Sequence, residues 1–151
     1  MSSIQSYYYI SALVILPLIW QGGGQTERTG ATMYLFASIA SVLTQGFWLG
    51  DLRWAVALVD LFLLAGLIYL ALRKDRWWPL MASAFQTLTL LIYIANAVQP
   101  ELSVRTGVVA TWALSFIILY SLLGGVLERI LAGEAPASAS AVWRRRRPAP
   151  L

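Results

Sequence analysis

Apolar residues run almost unbroken through residues 4–20, 30–48, 54–72, 77–98 and 103–131, and polar residues collect between these stretches. A helix that crosses the hydrocarbon core of a bilayer takes about 20 largely apolar residues, with a range of about 17–25. The pattern predicts an all-α integral-membrane bundle of five transmembrane helices over residues 1–131. Gln21 and the run Gly22-Gly23-Gly24 end the first stretch, and Asp51 and Arg53 mark the turn after the second. Arg73-Lys74-Asp75-Arg76 stop the third, and Gln99-Pro100 close the fourth. The first stretch is short, carries Tyr7, Tyr8 and Tyr9, and contains Pro17, which kinks or ends a helix. If it does not span, four spans remain. A cleaved signal peptide is disfavoured, because no Lys or Arg precedes the stretch and no A-x-A site follows it. Residues 132–151 are small, proline-bearing and then basic, which predicts a flexible cytoplasmic tail. No internal or inverted repeat is visible.

Composition agrees. Hydrophobic residues make up 59% of the 151 and charged residues 12%, against about 45–50% and about 25% in soluble domains. Lys and Arg fix an expected orientation. With five spans, one side holds Arg53 and Arg105, while the other holds Arg28, Arg73, Lys74, Arg76, Arg129 and the run Arg144, Arg145, Arg146, Arg147. The N-terminus is therefore expected outside and the C-terminus in the cytoplasm of a multi-pass inner-membrane protein. Trp20, Trp48, Trp54, Trp77 and Trp78 fall at predicted span ends, and Trp54, Trp77 and Trp78 are read as interfacial anchors.

The residues that are missing exclude much chemistry. With no Cys and no His, thiol nucleophiles, disulfides, His or Cys metal sites and Ser-His-Asp triads are out of reach. The seven acids include no pair at i, i+3 or i+4, so no helix presents two carboxylates together. Gly22-Gly23-Gly24 follows no strand and is a loop signal, not a phosphate cradle. The expectation is a protein with no catalytic residues and no bound metal.

Asp60 is the one acid well inside a predicted span. An ionised carboxylate there costs on the order of 2.5–3.5 kcal/mol, so it must face the bundle or a wet cavity, or be protonated. It is either a proton or cation site or a partner in an interhelical hydrogen bond. Gln86, Thr89, Tyr93 and Asn96 form one stripe of the fourth helix, and Tyr34, Ser38, Ser41 and Gln45 form one of the second. Counting rise from the turn between the third and fourth helices places Asp60 and Thr89 at about the same depth, roughly 18–20 Å from the cytoplasmic end. Asp60 is thus expected to meet Thr89, with Gln86 or Tyr93 a turn away. The stripes are either a polar pocket or the hydrogen-bonding glue common between membrane helices.

Trp112, Phe116 and Tyr120 repeat every fourth residue on the fifth helix. Such a stripe is a candidate surface for a bound lipid, quinone or pigment, or it faces lipid or packs. Gly124-Gly125 would let a neighbouring backbone come close, or would simply loosen the helix end. In the tail, Trp143 with Arg144 to Arg147 is a contact element for anionic headgroups or an acidic partner; nucleic acid is the weakest reading.

The segments Gly23-Gly24-Gln25-Thr26-Glu27-Arg28, Arg73-Lys74-Asp75-Arg76-Trp77-Trp78-Pro79-Leu80 and Phe85-Gln86 resemble those of a group of small bacterial inner-membrane proteins. That group shares a GG-x-x-ER-like loop and a DR-[FW]-WPL…FQ segment. The resemblance spans roughly residues 20–125 and implies a polytopic membrane protein without implying an activity. Where that group has a histidine on its fourth helix, this chain has Tyr93 or no counterpart, so a histidine ligand role would be absent. Within this sequence, Asp75 would cap the fourth helix, with Pro79 tolerated in its first turn. The function expected is that of a non-catalytic accessory or assembly subunit of a larger membrane complex, held among membrane lipids and other membrane-protein subunits. The alternative is a small transporter or proton-coupled channel that uses Asp60 and the polar stripe of the fourth helix.

Overall fold

A computed structural model of the chain describes residues 3–44, 54–74, 76–99 and 104–133. These residues form five helices: α1 (Ser3–Gly22), α2 (Gln25–Thr44), α3 (Trp54–Arg73), α4 (Trp78–Val98) and α5 (Val104–Leu131). The fold class is all-α, as the apolar pattern predicts. Pro17 lies inside α1 and does not end it. Gln45, Trp48, Asp75 and the tail with Trp143 and Arg144 to Arg147 lie outside the described residues.

The largest departure is at α2. It starts at Gln25, not at Gly30, so Glu27 and Arg28 belong to its first turn and not to a loop. The reason is local. The Arg28 N–H bonds the Gly24 carbonyl at 3.0 Å, and the Glu27 carboxylate reaches back to accept the Gly24 N–H at 2.9 Å. That is the return half of a capping box, with Gly24 at the N-cap and Glu27 three residues on. At α4 the N-cap is Trp77 with no side-chain cap bond, and Pro79 sits in the first turn as expected. Gly133, at φ 70°, follows the end of α5, a left-handed stop that glycine adopts freely.

Three of the described helices, α3, α4 and α5, are long and apolar enough to cross a membrane, not five. The polar first turn of α2, together with Tyr34, Ser38, Ser41 and Thr44, dilutes its apolar character. Within the three apolar windows only 17% to 28% of residues are buried. Leu13, Phe62 and Leu72 are among the many large apolar side chains left exposed. An apolar exterior of this extent fits lipid, because water-facing surfaces seldom carry large apolar patches.

The helices follow one another around the bundle: α2 packs on α3, α3 on α4, α4 on α5 and α5 on α1. α1 leans on α5 much more than on its sequence neighbour α2. Ile19, Leu67, Trp78, Ala82, Ile118, Leu119 and Leu122 form the fully buried centre. Contacts fix the directions. Tyr8 meets Trp112 and Phe116, and Gly22 meets Val126, so α1 runs parallel to α5. Asn96 meets Gly107, and Trp77 meets Gly124, so α4 runs antiparallel to α5. The α1–α2 link, the start of α4 and the end of α5 therefore gather at one end of the bundle.

Candidate functional site

At that end lies a buried charge cluster. Glu27 is fully buried. Its Oε2 accepts the Gly24 N–H at 2.9 Å and lies 3.8 Å from Arg129 Nη1. Its Oε1 accepts the Trp78 indole N–H at 3.2 Å. One carboxylate thus ties together the α1–α2 link, the first turn of α4 and the last turn of α5. Arg76 and Glu128 add a second ion pair beside it, at 3.9 Å.

Close approach makes the cluster compact. The Trp78 ring lies against Gly30 of α2 on one side and Gly125 of α5 on another, where a Cβ at either position would overlap it. A Cβ at Gly24 would strike the Arg129 guanidinium and come within 2.8 Å of Glu27 Oε2. Gly124 faces Trp77, with 3.2 Å between a built Cβ and the ring. At Gly124-Gly125 it is the side chains of Trp77 and Trp78, and not a neighbouring backbone, that come close.

This arrangement corrects the expectation for Trp78. It is fully buried and hydrogen-bonded, so it is a core strut and not an interfacial anchor. Trp54 and Trp77 are about half exposed. Asp60 keeps its place inside α3, and Glu27, at the end of the bundle, is the more buried of the two acids. The signal for Glu27 was present in Gly24-x-x-Glu27, but its countercharge lies on the last helix, beyond the reach of local spacing.

The second polar cluster lies along the bundle interior. Tyr93 donates to Asp60 Oδ2 at 2.9 Å, and Gln86 donates to the Asp60 main-chain carbonyl at 3.2 Å. Thr89 donates to the Phe85 carbonyl of its own helix at 3.1 Å. The expected partner Thr89 is therefore replaced by the residues on either side of it along the stripe, because its short side chain turns back onto the backbone. Gln86 and Thr89 are buried. Asn96 stands at the far end of the stripe, against Gly107.

Across the bundle, Tyr34 donates to the Ser115 carbonyl at 2.9 Å. Its only proton is then engaged, so in the 2.7 Å contact between Tyr8 and Tyr34 it is Tyr8 that donates. Ser38 donates to the Tyr34 carbonyl at 2.9 Å. The Tyr8 ring meets Trp112 edge-on at 4.9 Å and Phe116 at 5.4 Å. Two members of the α5 aromatic stripe thus pack inside, and Tyr120 is exposed. Among the described residues, no three Asp, Glu, His or Cys side chains converge as metal ligands.

Comparison of the chain with protein-family models, curated proteins and solved structures finds no match.

Proposed function

We propose that this chain is a non-catalytic integral-membrane protein that serves as an accessory or assembly subunit of a larger membrane complex. One observation carries the reading: the polar groups inside the bundle bond one another. Asp60 takes Tyr93, Tyr8 takes Tyr34, and Glu27 takes Trp78 and Arg129. A scaffold needs such closure, whereas a solute path needs polar groups turned toward a wet channel. All five helices are proposed to span. α1 and α2 are 20 residues each, about 30 Å at 1.5 Å per residue, and they pack beside the apolar α3 and α5. The orientation proposed is N-terminus out and C-terminus in the cytoplasm of an inner membrane, on the Lys and Arg bias.

Mild-detergent extraction from the native cell tests this reading. The chain should co-purify with other membrane subunits in fixed ratio. Recovery only as a lone homo-oligomer would overturn the subunit role.

A second reading, a small proton-coupled transporter, is favoured by the Asp60 carboxylate held in the middle of the most apolar helix. Asp60→Asn separates the two. In a subunit it leaves assembly intact, and in a transporter it abolishes coupling while the protein still folds.

A further inference from the structure

An apolar groove of about 610 Å³ runs between α1 and α2. It exists because α1 leans on α5 and leaves its α2 side open. Along α1 it extends from Tyr8 to Trp20, and along α2 from Ala31 to Leu43, roughly 18 Å by helical rise. Three polar side chains in its wall are engaged elsewhere. Thr32 donates to the Arg28 carbonyl, Ser38 to the Tyr34 carbonyl, and the Tyr8 hydroxyl meets Tyr34. What remains is a hydrocarbon slot.

A cation stands at its mouth. The Arg28 guanidinium lies over the Trp20 ring, 5.8 Å from the centroid, and Trp20 lines the groove. Arg28 Nε is buried and has no hydrogen-bond partner. The neighbouring acid gives it no countercharge, because Glu27 is turned inward to Arg129 and Trp78. Arg28 also sits in the first turn of α2, at the positive pole of the helix. An arginine guanidinium held over an aromatic ring beside an apolar slot is suited to pairing with a phosphate.

We propose that the groove holds one acyl chain of an anionic glycerophospholipid from the surrounding bilayer, with its phosphate on Arg28. The inference requires the chain to lie in a membrane but does not depend on the subunit reading.

The test uses the purified full-length protein in neutral detergent, with phosphatidylglycerol and phosphatidylcholine as probes and native mass spectrometry as the readout. Wild type should retain phosphatidylglycerol over phosphatidylcholine by roughly tenfold, about 1.4 kcal/mol. Arg28→Gln should remove that preference, and Ala12→Trp, which fills the slot, should remove retention of both lipids. Inorganic phosphate alone should not displace the lipid, since the acyl chain supplies the rest of the binding. A photoreactive acyl chain on phosphatidylglycerol should label the facing sides of α1 and α2 in the unaltered protein, which keeps the proposal testable even if a variant misfolds. Equal retention of the two lipids, a preference that survives Arg28→Gln, displacement by phosphate, or labelling confined to α3 and α4 would each overturn it.

Discussion

Glu27 and Trp78 carry the most consequence per residue. Removing one partner of a buried ion pair costs about 3–5 kcal/mol, and Glu27→Ala also takes the acceptor from the Trp78 and Gly24 N–H groups. The variant should lose stability of that order, read from the midpoint of unfolding in rising SDS fraction. Trp78→Phe keeps most of the ring and loses only the N–H. It should cost less, about 1–3 kcal/mol for the acceptor left behind. Unchanged midpoints for both would mean that the cluster is a bystander. At this scale the sequence was only partly readable. Asp60 could be found because a lone acid stands out in an apolar run. Its partners were displaced along the stripe from the expected depth match, because rise per residue fixes height and not which side chain is long enough to reach. Glu27 was hidden among the polar residues of an apparent loop.

Among the elements, the spans of α3, α4 and α5 could be read within a residue or two, because long apolar runs bounded by charges leave little choice. The start of α2 could not, since its first turn is polar and is recognised by a carboxylate reaching back to Gly24 rather than by periodicity. The packing role of Trp112 and Phe116 also needed the third dimension, because an aromatic stripe looks the same whether it meets lipid or Tyr8. Ending the chain at Gly133 should leave the described helices folded, since the core among the described residues is built from Tyr8 to Val126. If the basic tail is a contact element, the same truncation should weaken association with a partner or with anionic lipid. The loss should be mimicked by high salt, because the Debye length shrinks to about 3 Å at 1 M. Undiminished co-purification at every salt concentration would remove the tail from the contact surface.

For the whole molecule, the number of spans decides the sidedness. Reporter fusions at residue 1 and residue 151 should give opposite sides, outside and cytoplasmic, if all five helices cross. Matching sides would mean an even number of crossings, and α1 or α2 would be the first helix to reconsider.

The Glu27 junction also sets a timetable for biosynthesis. The carboxylate is made with the first hairpin, when the Gly24 N–H is the one partner of its junction yet in existence. Trp78 arrives two helices later, and Arg129 arrives in the last turn of the last described helix. Until then the first hairpin carries an acid without its final countercharge. The junction is therefore complete only once the last described helix has been made.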